Sequence, residues 1–422
     1  MNSMPPPSDH RLDVVVAGGG IAAVELVLAL HDFAGERVRL TMVAPQADFR
    51  LRSLSTAEPF AADHVRSHPL SDLATRVGAE LITDVVTAVD AERHAVRLGS
   101  GASVTYDALV MAVGARSRTA YTRAMTFSGD RSTIPFNGLL ADLEEGWSHS
   151  VAFVVPPGIT WTLPLYELAL MTARDVAGMG IDDMRIQIVT PEVMPLALFG
   201  TQGSRAVAAL LDEAGIEFRG ACYAHAGENG LLELQPSGEL LTAERIVTLP
   251  TIEGPQVAGL PSDANGFIPI DARGQVRGAA DVYAAGDGTT YPLKQGGLAC
   301  QLADAIAEQL AATAGADVAP QPFRPVLRGR LMTGRGAQYL EHALTGVPGR
   351  GAAELQLWSA AHKVDGRYLS PWLAELDGIE PATAAAAVAE EDHIDVEVQL
   401  PSSWEIRQDA MRLNPYGPML IS

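Results

Sequence analysis

The chain has 422 residues, 47% of them hydrophobic and 19% charged. That suits two or three domains of ~100–200 residues with ordinary cores and is too apolar for wholesale disorder. Its formal net charge of −21 repels nucleic acid and anionic lipid, so neither is an expected partner. Cys222 and Cys300 are far apart, with no CxxC pair and no Cys/His cluster. A dithiol redox motif and a cysteine-rich metal site are thereby excluded, and no metal ligand set is expected.

Residues 1–10 are Pro/Ser-rich and read as frayed. They carry no apolar signal core, and no run of ~18 apolar residues follows to cross a bilayer. With so few thiols the expectation is a soluble, cytoplasmic protein without stable membrane insertion. Leu12–Ala17 is an apolar run predicted to be a buried parallel strand, and three glycines lead from it into a helix at Ile21–Leu30. Val38–Val43 is the next strand, completing a βαβ unit. Strands are expected at Leu81–Val89, His94–Leu98 and Tyr106–Gly114, then a crossover over 115–150.

A second α/β unit starts with a strand at Val151–Val155, a helix at Leu163–Val176 and a strand at Arg185–Thr190. A helix at Ser204–Ala214 has a serine cap and a glycine stop. Ile246–Pro250 and Asp281–Asp287 read as strands, and Gly296 opens a helix to about Ala312. Gly315–Pro325 reads as a linker, and Phe323–Met332 contains a strand signal. The tail holds an alanine run, Ala382–Ala387, an acidic cluster, Glu390–Asp392, and Trp358, Trp372 and Trp404, read as packing residues. The fold class expected is α/β, with two Rossmann-like dinucleotide-binding domains and a C-terminal α+β region.

Gly18-Gly-Gly20-Ile-Ala-Ala23 is G-x-G-x-x-A directly after a strand and opening a helix. Gly18 permits the tight turn, Gly20 admits a pyrophosphate to the backbone, and Ala23 lets helix and strand pack closely. The helix N-terminus adds amide donors and the positive end of its dipole. The acid that should end the second strand and hold a ribose is missing, since Val43 runs into Ala44-Pro45. Far downstream, Ala284-Ala-Gly286-Asp287 puts a carboxylate just past a strand end, where it can accept hydrogen bonds from ribityl or ribose hydroxyls.

On these residues, with Val110-Met-Ala-Val-Gly114 and Pro292-Leu-Lys-Gln-Gly-Gly297, the chain resembles the two-dinucleotide-fold flavoproteins. These are the FAD-dependent pyridine nucleotide-disulfide oxidoreductases. The resemblance is to their sulfide:quinone oxidoreductase and flavocytochrome c sulfide dehydrogenase branch, with type II NADH dehydrogenases as near relatives, and covers about 11–320. It implies FAD held by both ends of the chain. An FAD domain would span 11–118 and 263–320, a degenerate nicotinamide-type domain 119–262, and a C-terminal domain 321–422. By position, Gly18, Gly19, Gly20, Ala22 and Ala23 would face the pyrophosphate, Ala44 the adenosine ribose and Val86 the adenine. Arg52 would reach phosphates or flavin, and Ala112 and Gly114 would pass the cofactor. Gly286 and Asp287 would hold the ribityl chain, and Lys294, Gln295 and Gly296 would lie beside the flavin.

Lys294 and the helix opened by Gly296 would make a positive corner that raises a flavin's reduction potential. Glu167 matches a family glutamate aimed at the flavin and is a candidate proton relay. Cys300 either approaches the flavin or packs in its helix.

In the second unit Pro156-Pro-Gly158-Ile-Thr-Trp-Thr-Leu-Pro164 replaces a second glycine fingerprint, and its prolines remove amide donors. No cysteine lies in 156–162 or 321–422, which argues against sulfide as donor. The quinone motif of the type II dehydrogenases falls on Gly296–Gln301 without its first glutamine. The leading expectation is an FAD-dependent oxidoreductase between a small-molecule redox substrate and an acceptor, with a quinone or a protein acceptor both open, as is a homodimer. An NAD(P)H-dependent reductase with an atypical nicotinamide site and a non-catalytic flavin-binding or redox-sensing protein stay open beside it.

Overall fold

The computed structural model describes residues 11–129, 132–227, 229–333 and 363–378, with backbone alone for Gln202 and 393–399. β1 (Leu12–Ala17) is valine-rich and nearly wholly buried, as a central parallel strand covered on both faces must be. Gly18–Gly20 lead into α1 (Ile21–Ala34), and β2 (Val38–Val43) returns parallel to β1 with Val14 opposite Leu40. α2 (Leu70–Val77) precedes β3 (Glu80–Ile82). An antiparallel meander follows in β4 (Val86–Asp90), β5 (Ala95–Leu98) and β6 (Ser103–Thr105), and the chain re-enters the first sheet at β7 (Ala108–Met111).

The expected single strand at 81–89 is two strands. Asp84 breaks it, because its carboxylate accepts from the backbone N–H of Val85 at 2.7 Å and of Ser100 at 3.1 Å, offering the backbone an alternative to the ladder.

The second sheet begins with the short β8 (Met125–Thr126). α3 (Thr133–Glu144), β9 (Ser150–Val154), α4 (Leu163–Gly178), β10 (Arg185–Val189), α5 (Gly200–Glu213) and β11 (Ile216–Arg219) follow. The helix expected at Ser204 starts a turn earlier. The chain turns at Gly200, whose φ is 76°, and Ser204 lies inside α5 with its hydroxyl buried, so it caps nothing. A small antiparallel sheet, β12 (Tyr223–Ala226), β13 (Leu232–Gln235) and β14 (Glu239–Leu240), leads to β15 (Arg245–Thr248). The second sheet is parallel in the order β8-β15-β9-β10-β11.

The chain then returns to the first sheet. β16 (Val282–Ala284) pairs parallel with β7, giving the order β16-β7-β1-β2-β3. α6 (Gly296–Thr313) packs along α1. β17 (Val326–Met332) pairs antiparallel with β18 (His393–Gln399), and between them in sequence lies α7 (Leu369–Leu376). Trp372 of α7 is buried between Phe49 and His68, with ring centroids 6.0 and 5.8 Å away, in the packing role expected of it. Residues 1–10, Trp358, Trp404, Ala382–Ala387 and Glu390–Asp392 lie outside the described residues. Among the described residues no helix is long and apolar enough to cross a membrane, and no group of three or more side chains is arranged to hold a metal.

Candidate functional site

The opening turn is built as its glycines require. Gly18 has φ 127°, and a Cβ on it would lie 2.2 Å from the carbonyl oxygen of Ala112, so only glycine fits between β1 and β7. Its N–H donates to the Val43 carbonyl at 2.8 Å, which ties the turn to β2. Gly20 is the N-cap of α1, with no side-chain cap, and a Cβ there would meet nothing within 4 Å. The start of α1 is therefore open beside Gly20, the place where a helix N-terminus receives a dinucleotide pyrophosphate. Ala23 is wholly buried under the turn, and Ala44 lies beside Gly19.

Four short segments converge here. Gly18 lies against Ala112, and a Cβ on Gly288 would sit 2.9 Å from the Gly114 carbonyl oxygen. A Cβ on Gly286 would come within 3.3 Å of the Ala22 Cβ, and one on Gly296 within 3.1 Å of Ile21 Cδ1. Thus 18–23, 112–114, 286–288 and 294–296 form one lining. Two expected residues lie outside these contacts. Arg52 is exposed, with its stem against Gly129, and Val86 begins β4, where it pairs with Leu98.

Asp287 supplies the negative side of this lining. Its residue stays accessible to solvent, yet protein surrounds it closely enough that burial pushes its carboxyl above the usual carboxylate value, with Lys294 pulling the other way. Such a carboxylate, accessible yet flanked by Lys294, suits a hydroxyl-bearing ligand. Lys294 donates to the Thr289 carbonyl oxygen and lies 4.1 Å from the centroid of the Phe267 ring. Burial lowers its ammonium to about 8, opposed by Asp287 and Asp263. Gln295 is already committed. Its Oε1 accepts from the Leu298 N–H at 2.8 Å as the cap of α6, and its Nε2 donates to the Arg328 carbonyl oxygen at 3.0 Å. It therefore sets the start of α6 and ties it to β17.

Glu167 and Cys300 are placed differently from the other candidates. Glu167 is wholly buried near the start of α4, not on the helix surface. It accepts from Thr56 Oγ1 at 2.8 Å and from the Met332 N–H at 3.0 Å, and it pairs with Lys363 Nζ. Lys363 Nζ also donates to Thr56 Oγ1 at 3.1 Å. Cys300 is wholly buried against Gly366 and Glu25. Burial, reinforced by Glu25, Asp304 and Asp365, pushes its thiol well up, so the nucleophilic thiolate is suppressed and Cys300 packs in α6. Lys363, Thr56 and Phe267 were not legible as site residues, because no spacing or motif marks them.

Residues 12–137 match the pyridine nucleotide-disulphide oxidoreductase family. No curated protein matches the chain. Among solved structures, the sulfide:quinone oxidoreductase of Aquifex aeolicus is similar, with a TM-score of 0.65, 20% identity, and coverage of 72% of this chain and 77% of that one. The ferredoxin reductase of the CYP199A2 system from Rhodopseudomonas palustris gives a TM-score of 0.56, 19% identity, and coverage of 75% and 79%. NDH2 from Plasmodium falciparum, solved with NADH, gives 0.54, 15% identity, and coverage of 66% and 65%. The glycine turn, the two parallel sheets and the match over 12–137 identify the chain as one with the pyridine nucleotide-disulphide oxidoreductase signature and fold.

Proposed function

We propose that the protein is an FAD-dependent oxidoreductase that moves electrons between a small-molecule donor and an acceptor of the quinone or redox-protein class. The observation that carries this is the meeting of the open N-terminus of α1 with Asp287 and Lys294 in one lining, although the segments come from opposite ends of the described chain. The family match over 12–137 and the likeness to a sulfide:quinone oxidoreductase and a ferredoxin reductase support it.

FAD, when bound, would supply a reversible store for an electron pair. The amides after Gly20 would bind its pyrophosphate, and Ala112 and Gly114 would form the opposite wall. Asp287 would accept hydrogen bonds from ribityl hydroxyls. Lys294 and the N-terminus of α6 would keep the local potential positive, which favours negative charge there. Glu167 accepts from three donors and holds α4, β17 and Lys363 together. A donor that reacts through a persulfide-carrying cysteine is disfavoured, since Cys300 is buried and 156–162 holds no thiol.

The test is the absorbance spectrum of the purified protein, followed by anaerobic titration with NADH, NADPH, sulfide and a quinol. A bound flavin that bleaches with one of these is the expected result. A protein that carries no flavin and takes none up on refolding with FAD overturns the proposal.

A further inference from the structure

The second α/β unit ends its strand β10 with Thr190-Pro-Glu192. This is where a dinucleotide-binding unit carries the acid that holds ribose hydroxyls, the residue that the first unit lacks. The carboxylate of Glu192 faces the protein's own donors. Tyr166 Oη donates to its Oε2 at 2.8 Å and Thr190 Oγ1 at 3.0 Å. The Thr162 side chain and the Ala197 backbone lie close enough to favour its charged form, against the burial that raises its carboxyl. Two of the about four lone-pair sites of an ionised carboxylate are thus taken by the protein's own hydroxyls, both on Oε2. Its backbone is fixed too, because the Ala221 N–H donates to the Glu192 carbonyl at 2.8 Å. Tyr166 is wholly buried in α4 and Thr162 is the N-cap of that helix, so the carboxylate lies beside the helix start, where the dipole favours an anion.

We infer that Glu192 is an internal occupant of the second unit's nucleotide position. Tyr166, Thr162 and Thr190 hold it there, and it determines specificity by denying a pyridine nucleotide its ribose contact. Pro156, Pro157 and Pro164 act in the same direction by removing amides around the same helix start. The inference deepens the proposed function, on which it rests for the identity of the reaction. It leaves as electron donor a small molecule that reaches the first unit's cleft without using the second.

The experiment has two arms. In the first, the protein is saturated with FAD and titrated calorimetrically with ADP-ribose, the part of NADH that such a unit grips. Neither the wild type nor Glu192→Gln is expected to bind up to millimolar concentration. Binding by the wild type overturns the inference, whether Glu192→Gln weakens it or leaves it unchanged. In the second, Glu192→Ala leaves the Tyr166 and Thr190 hydroxyls without their acceptor, and an external carboxylate should replace the lost one. Acetate, compared with chloride at equal ionic strength, should raise the Tm of Glu192→Ala by about 3 °C and leave the wild type unmoved. An equal response of both proteins overturns the inference. The spectrum before titration reports flavin content, so a failure of the FAD reading registers separately.

Discussion

Gly286 and Ala22 touch: a methyl group on Gly286 would lie 3.3 Å from the Ala22 Cβ. This contact brings the turn before Asp287 onto the first turn of α1. It depends on glycines that do different work. Gly18 is held to glycine by the Ala112 carbonyl oxygen, whereas nothing within 4 Å constrains Gly20.

Gly18→Ala and Gly20→Ala should therefore separate folding from binding. Gly18→Ala drives a methyl group into the Ala112 carbonyl oxygen at a φ of 127°. Backbone strain of that kind costs ~1–3 kcal/mol before the clash is added, and denaturant melts should show at least that loss. Gly20→Ala finds open space, so its apoprotein should melt within ~0.5 kcal/mol of wild type while flavin content falls at least tenfold. Equal stability of the two apoproteins would contradict the assignment.

Lys294 should set the flavin's reduction potential. Its ammonium titrates at about 8, so it is charged below that pH and neutral above it. The potential of the wild type should carry an extra downward bend as pH rises through about 8. Lys294→Met should lack the bend and lie lower by tens of millivolts at pH 7, where ~30 mV is ~1.4 kcal/mol for a two-electron couple. Spectroelectrochemistry between pH 6 and 10 reads both effects.

The Glu167–Lys363 pair should act structurally. Lys363→Met leaves a wholly buried carboxylate without its cation and should cost about 3–5 kcal/mol by denaturant melt. Glu167→Gln with Lys363→Met removes both charges and should recover most of that loss. A double variant as unstable as the single one would show that the lysine matters for something other than the pair.

Glu25 and Asp304 should make stability depend on pH. Glu25 accepts from the N–H groups of Tyr368 at 2.9 Å and Leu369 at 2.6 Å, at the start of α7. Burial raises its carboxyl and raises that of Asp304 further, with Glu25 itself adding to the second shift. Cys300 and Glu308 of α6 and Arg367 before α7 face the same cluster. A raised native value means that the folded protein holds a proton the unfolded chain has released. Stability should be fully present below the ordinary carboxylate range near 4 and fall as pH rises through the elevated native values. Asp304→Asn should flatten that fall, as urea melts at constant ionic strength would record.

Much of the first unit was legible because its signals are local. The glycine turn, the valine-rich strand and the Gly-Asp turn each state a backbone requirement within a few residues. Glu192 is hard to read from sequence, because without the glycine fingerprint at 156–164 nothing marks it as more than a surface glutamate. Lys363 was illegible for another reason. Its partner Glu167 comes from another part of the chain, and no periodicity links a buried ion pair across that separation. Gln295 shows a role the sequence does not disclose, since one glutamine before a glycine serves a ligand or a helix cap equally, and the structure shows the cap.

β17 links both halves of the molecule. Gln295 and Gln301 of α6 bond to its Arg328 and Val326 carbonyls at 3.0 and 2.8 Å, while Glu167 of α4 takes the Met332 N–H. A strand fastened at both ends works as a splint across the joint between the units. A jaw-like swing that separated α6 from α4 would have to break these bonds, so the joint between the units should move less readily than a free hinge.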